Sequence, residues 1–108
     1  MDAASVDVPP AIVCAVESTR SGASLRLRGR IVSAEPASGR YRLEIIKESR
    51  SGTSRVAQSG AFSTRANEPA VVGSTTVDFP RGSRILARLS GEALDQSFTC
   101  NFDEKSDE

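Results

Sequence analysis

Apolar and polar residues alternate with a period of two along most of this chain. The alternation is clearest at residues 25–32, 41–46 and 85–89, where every second residue is apolar or glycine. Successive side chains of a strand point to opposite faces, so each of these segments has one face for a core and one for solvent. No segment between them shows the three- or four-residue spacing of an amphipathic helix. The chain is therefore predicted to be all-β.

Turn-forming residues divide the chain into seven predicted strands. Gly, Pro, Ser and Asn cluster between the alternating segments, as at residues 21–22, 35–39 and 51–52. The strands are predicted at residues 11–18, 24–34, 40–49, 53–63, 70–79, 84–90 and 95–102. Strands of this length and spacing are typical of an antiparallel β-sandwich. A chain of 108 residues has room for one such domain and not for two independent cores.

Charge is distributed unevenly along the sequence. The 14 basic and 14 acidic residues cancel overall, yet residues 20–91 are strongly basic and both ends are acidic. We predict a flexible N-terminal segment at residues 1–9, a single β-sandwich domain at 10–102 and an acidic C-terminal tail at 103–108. The basic middle of the chain is the part that would attract an anionic partner.

Composition argues against most kinds of catalytic, metal and membrane site. The chain contains no His, which removes the commonest general base and the commonest metal ligand at neutral pH. Two cysteines cannot by themselves supply a four-ligand zinc site. The glycines form no phosphate-binding loop ahead of a helix, and no apolar run approaches the ~20 residues of a membrane helix. We predict no enzymatic activity, no metal, no cofactor and no membrane span.

The two cysteines lie near opposite ends of the chain. Cys14 and Cys100 both occupy inward-facing positions of predicted terminal strands. The first and last strands of a small β domain are often neighbours, so a disulfide between them is geometrically reasonable. The alternative is a pair of buried thiols that act as small apolar residues. A disulfide would place the protein in an oxidising compartment. Because the first residues of the chain do not resemble a signal peptide, we expect a mature chain from which the signal peptide has been removed.

Two groups of arginines are the candidate binding residues. Within each group the side chains share a face, because alternate residues of a strand project to the same side. The first group lies on the second predicted strand: Arg26, Arg28 and Arg30. The second group combines the third and sixth predicted strands, which are usually adjacent in a seven-stranded sandwich: Arg40, Arg42, Arg84 and Arg88. We expect the second group to form one basic patch that Glu44 interrupts.

Such patches have two interpretations. They would attract an anionic partner and speed encounter, or they are solvated strand faces whose like charges resist edge-to-edge aggregation. Nucleic acid is not the favoured partner, because single-strand binders place exposed aromatic rings among their basic residues. Tyr41, Phe62, Phe98 and Phe102 fall instead at inward-looking positions. We predict no nucleic-acid binding.

A predicted strand, turn and strand in the middle of the chain carry a family resemblance. Residues 41–52 end in Ser-Gly, and residues 54–62 contain Gln-Ser-Gly. This segment resembles the curli-assembly inhibitors of the CsgC/CsgH kind, and it is closer to the CsgH branch found in alphaproteobacteria. The likeness extends more weakly over roughly residues 10–102.

The resemblance implies a seven-stranded immunoglobulin-like β-sandwich in the periplasm. Its implied role is to keep the amyloid-forming curli subunit from polymerising before export, through transient contact and without enzymatic activity. We expect a monomer. Enteric members carry a Cys-x-Cys motif, whereas Cys14-Ala15-Val16 lacks the second cysteine, so a local redox role is not carried over. The alternative function is a structural or adhesive immunoglobulin-like module of an extracellular assembly.

Overall fold

The computed structural model describes residues 12–106, which form seven strands in two sheets. The strands are β1 Ile12–Ser21, β2 Ser24–Ser33, β3 Ala37–Ser49, β4 Gly52–Thr64, β5 Ala70–Asp78, β6 Arg84–Ala93 and β7 Gln96–Lys105. One sheet has the order β1-β2-β5 and the other the order β4-β3-β6-β7. Every pairing is antiparallel. The predicted all-β class and the seven strands are confirmed, whereas the segment predicted at residues 1–9 lies outside the described residues.

The inward rows of the two sheets meet in one core. The most completely buried apolar residues of the strands, each at most 2% exposed, are Leu25, Leu27, Ile31, Leu43, Ile45, Ile85 and Leu89. They lie on β2, β3 and β6, which are interior strands of the sheets. Burial of one such side chain stabilises the fold by roughly 1.5–3 kcal/mol. Because alternation buries these residues, it also turns their sequence neighbours outward on both sheets.

A disulfide joins the first strand to the last. Cys14 in β1 and Cys100 in β7 have Cα atoms 6.0 Å apart, and each strand lies at an edge of its sheet. Four residues further along the same two strands, the Ser18 hydroxyl donates to Glu104 Oε1 at 3.3 Å. The predicted disulfide is confirmed, and the alternative of two buried thiols is wrong. The disulfide links an edge strand of one sheet to an edge strand of the other.

A glutamine bridges the other two sheet edges. Gln58 of β4 donates from Nε2 to Thr75 Oγ1 at 2.7 Å, and its Oε1 accepts a bond from the Ser74 backbone N–H at 3.2 Å. The adjacent Gly73 has a φ of +67°, a left-handed conformation that favours glycine. The register of β5 against β2 shifts at this residue, so a β-bulge turns the edge of β5 toward Gln58.

β7 extends three residues beyond its predicted end at residue 102. The backbone N–H of Ser106 donates to the Ser83 carbonyl at 2.8 Å, and the Ser106 carbonyl accepts from the Gly82 N–H at 2.9 Å. These bonds hold the end of the strand against the loop that precedes β6. The prediction of an acidic tail at 103–108 is therefore wrong for residues 103–106, while residues 107–108 lie outside the described part of the chain.

Replacement of both disulfide cysteines, Cys14→Ser with Cys100→Ser, is expected to lower the free energy of unfolding by about 2–4 kcal/mol. The unfolded chain gains conformational entropy when a link between residues 86 positions apart is lost. Urea denaturation followed by circular dichroism measures the change. Reduced wild type should match the double variant, and the variant should not respond to reductant. Equal stability of the variant and the oxidised wild type would contradict this expectation.

Candidate functional site

The outward row of the four-stranded sheet is densely charged. In the strand register, the outward residues alternate with the buried row. They comprise six cations and four carboxylates: Arg40, Arg42, Arg55, Arg84, Arg88, Lys105, Glu44, Glu48, Glu92 and Asp103. We call this surface the charged face. Its excess of cations makes it a candidate surface for an anionic partner.

The four arginines predicted on this face do not form one patch. β3 and β6 are adjacent, as expected, but their register places Arg88 opposite Glu44 and Arg84 opposite Glu48. Arg84 therefore lies roughly 20 Å along the sheet from Arg42, at about 3.3 Å per residue. The arginines share a face, while carboxylates alternate with them across the two strands.

Ion pairs neutralise part of the charged face. Arg42 Nη2 lies 3.3 Å from Glu44 Oε2. Arg84 holds Asp103 with two bonds, from Nη2 to Oδ2 at 2.6 Å and from Nε to Oδ1 at 3.0 Å. This bidentate geometry is the strong form of an arginine–carboxylate contact. Arg42 and Arg84 are thus less available to a partner than their positions in the sequence indicate.

The contact between Arg84 and Asp103 shifts the ionisation of both groups. The hydrogen bond from Arg84 holds the pKa of the Asp103 carboxyl below its usual value, and the same bond raises the pKa of Arg84. Both side chains are exposed to solvent, which screens the pair, so its contribution to stability is small. That contribution is present above the usual carboxyl pKa and is lost as the pH falls through the lowered pKa of Asp103.

The arginines of β2 lie on the other side of the molecule, on the outer face of the three-stranded sheet. Glu17 of β1 accepts from Arg28 Nε at 3.3 Å and from Arg30 Nη1 at 3.2 Å. Arg26 Nε donates to Ser74 Oγ at 3.4 Å. All three share one face, as predicted, but each is engaged by a side chain of its own sheet. This makes them weaker candidates for partner contact.

Four cations of the charged face have no ion-pair partner within residues 12–106: Arg40, Arg55, Arg88 and Lys105. Arg40 and Arg88 are among the predicted binding residues, whereas Arg55 and Lys105 are not. Arg55 faces outward because it pairs with Ile46 across a hairpin whose loop has two residues. The turn signal at Ser51-Gly52 could have given the outward face of Arg55 but not its partner, because the loop consists of Arg50 and Ser51 and the register is shifted by two residues.

A groove of about 540 Å³ opens on the charged face. Ile46 and Leu86, which are directly opposite each other on β3 and β6, lie in it. Arg55 and Arg88 are also among its lining residues. The groove therefore combines half-buried aliphatic side chains with cations that lack an ion-pair partner in the described chain. This arrangement suits the binding of an extended, partly acidic chain rather than acid–base chemistry.

Two further properties concern the described residues alone. Within residues 12–106, no group of three or more His, Cys, Asp or Glu residues is placed to hold a metal ion. In the same range, no helix has the length and the apolar character that crossing a membrane requires.

The chain is similar to proteins of one family. The family model described as "CsgH protein" matches residues 13–103. The solution structure of R. palustris CsgH is 34% identical, with coverage of 85% of this chain and 91% of that chain and a TM-score of 0.75. The E. coli curli protein CsgC is 16% identical, with coverage of 85% and 96% and a TM-score of 0.70; at this identity the likeness shows the fold alone. Comparison with curated proteins gave no significant match.

Substitution of the arginine that binds Asp103, Arg84→Gln, is expected to raise the pKa of Asp103 toward its usual value. The reason is that the bidentate guanidinium favours the charged carboxylate. A pH titration of the side-chain carboxyl carbon by NMR measures the pKa. Arg88→Gln, on the same strand but without a bond to Asp103, is the matched control and should leave the pKa lowered. An unchanged Asp103 pKa in Arg84→Gln would contradict the assignment.

Proposed function

The chain belongs to the CsgH family, and from this membership we propose that it inhibits polymerisation of the amyloid-forming curli subunit. The observation that carries the proposal is the family match over residues 13–103. The E. coli protein of the same fold is named a curli protein. In this proposal the protein is a non-catalytic, chaperone-like binding protein that contacts its client transiently and acts as a monomer.

The proposed location is the periplasm, and the proposed fold type is an immunoglobulin-like sandwich. The disulfide between Cys14 and Cys100 supports an oxidising compartment. The fold type is supported by two antiparallel sheets of three and four strands that enclose one core. A rigid sandwich of this kind presents its outer faces to a client without having to reorganise.

The proposed mechanism is capture of an extended client segment by the charged face. Growth of a cross-β nucleus needs segments whose strand edges and side chains are free to pair with further copies. A segment that lies on the charged face is withdrawn from that pairing. Exposed ion pairs are individually weak, so the client can be released for export without ATP. Arg40 and Arg88 are the predicted arginines best placed for this role, because neither has an ion-pair partner within residues 12–106.

A second surface could make the same contact. Residues 52–57 of β4 are exposed and form an edge of the four-stranded sheet. An edge strand with free backbone groups can accept another strand. Edge pairing and face binding differ in their dependence on charge, which makes them separable by experiment.

Charge reversal at two arginines of the charged face, Arg40→Glu with Arg88→Glu, is expected to shorten the delay that the protein imposes on polymerisation of a purified curli subunit. Thioflavin fluorescence at a fixed substoichiometric ratio measures the lag. Arg26→Glu with Arg30→Glu makes the same change of charge on the opposite sheet and should keep most of the wild-type delay. Unfolding curves of both variants are expected to stay close to wild type, because exposed charges contribute little to stability.

Salt provides an independent arm of this experiment. An increase from about 50 mM to about 500 mM shortens the Debye length from roughly 14 Å to roughly 4 Å, so the delay should weaken relative to inhibitor-free controls at each salt concentration. A wild-type protein that fails to delay polymerisation at all would contradict the proposed function. A delay that survives both charge reversal and salt would contradict only the charged-face mechanism, and would favour the edge of β4.

A further inference from the structure

The groove on the charged face has an apolar centre that folding does not explain. Ile46 and Leu86 point away from the core, because the buried row of the same strands is taken by Ile45, Ile85 and Ala87. The two side chains are half-buried and face each other across a strand pair. A concave site that joins apolar contact area to a few convergent polar groups is the usual form of a binding site.

The charge available in the groove is positive. Both carboxylates that line it are already bonded to an arginine: Glu44 to Arg42 and Asp103 to Arg84. The two cations that line it, Arg55 and Arg88, have no ion-pair partner within residues 12–106. A partner segment that fits the groove therefore brings carboxylates to these two guanidiniums.

The spacing of these two arginines matches an extended chain. Arg55 lies on β4 opposite Ile46, while Arg88 lies on β6 opposite Glu44. They are thus two strands apart and offset by two residues, which places their Cα atoms about 12 Å from each other. In an extended peptide, residues i and i+4 lie about 13 Å apart and point to the same side as residue i+2. Ile46 of the apolar pair lies next to the line that joins the two arginines, near where residue i+2 of such a peptide would sit, and Leu86 flanks Ile46 on β6.

We propose that the groove binds an extended client segment with a carboxylate at positions i and i+4 and a large aliphatic side chain at i+2. The aliphatic side chain contacts Ile46 and Leu86, and the two carboxylates bond to Arg55 and Arg88. This inference rests on the proposed function and names the part of the client that is held. Such a segment has the alternation of a strand, so its capture removes a unit able to join a cross-β structure.

The probe is the acetylated and amidated heptapeptide Ser-Glu-Ser-Leu-Ser-Glu-Ser, titrated into ¹⁵N-labelled wild-type protein and followed by NMR chemical shifts. The largest chemical-shift changes are expected at residues 46, 55, 86 and 88. We expect a dissociation constant of about 1 mM, because binding rests on one apolar contact and two exposed ion pairs. Replacement of the peptide's leucine by serine, or of both glutamates by glutamine, should weaken binding by about five-fold or more.

Protein variants test the same contacts from the other side. The variant Ile46→Thr with Leu86→Thr removes the apolar side chains of the groove. Position 46 stays β-branched and position 86 becomes β-branched, so the strand propensity of both positions is retained. Arg55→Gln with Arg88→Gln removes the cations. Each pair should weaken peptide binding by about five-fold or more. The matched control is Val13→Thr with Val71→Thr, since these side chains are 55% and 58% exposed on the other sheet, and it should bind as wild type does.

The outcomes separate this inference from the proposed function. Shifts that lie outside the groove, or equal binding of the leucine and serine peptides, overturn the groove assignment without reliance on any variant that might misfold. A wild-type protein that does delay curli-subunit polymerisation, but by no more than its Ile46→Thr, Leu86→Thr variant, also overturns it. If the peptide binds in the groove while the wild type does not delay polymerisation, the groove assignment stands and the proposed function fails.

Discussion

The pairing of β3 with β6 is the constraint on which the rest of the structure depends. Its inward row supplies Leu43, Ile45, Ile85 and Leu89, each at most 2% exposed. Because side chains alternate, burial of this row forces the intervening residues outward, and a slip of one residue would exchange the two rows. A slipped pairing would bury arginines and glutamates in the core at a prohibitive cost. The core and the charged face are therefore two consequences of one register.

The same register determines which charges are available to a partner. The chain is neutral as a whole, and several arginines that stand out in the sequence are bonded within their own sheet. Arg28 and Arg30 share Glu17, and Arg84 holds Asp103. On the charged face, the cations without an ion-pair partner among the described residues are Arg40, Arg55, Arg88 and Lys105. A surface of this kind binds through a few positions rather than through its net charge, which suits a partner that must later be released.

The alternation of residues 25–32 was sufficient to predict β2 and the common face of its arginines, and the inward parity of Cys14 and Cys100 was sufficient to predict their disulfide. Alternation gives the face of a residue but not its register against a strand that is distant in sequence. This is why Arg84 was expected to share one basic patch with Arg42, although β6 pairs so that Glu48 faces Arg84. The end of β7 was missed for a different reason: its charged residues resemble a tail, and the residue that follows them, Ser106, is held by backbone bonds to Gly82 and Ser83. Those bonds depend on tertiary structure and leave no local signal.

The most direct test of the account is a map of the client on this protein. A soluble curli subunit that carries a spin label is added to the ¹⁵N-labelled protein, and the loss of each amide signal is measured by NMR before polymerisation begins. The account predicts that signal loss centres on the charged face, at residues 40, 46, 55, 86 and 88. Signal loss confined to the outer face of the three-stranded sheet, around Arg26, Arg28 and Arg30, would contradict it.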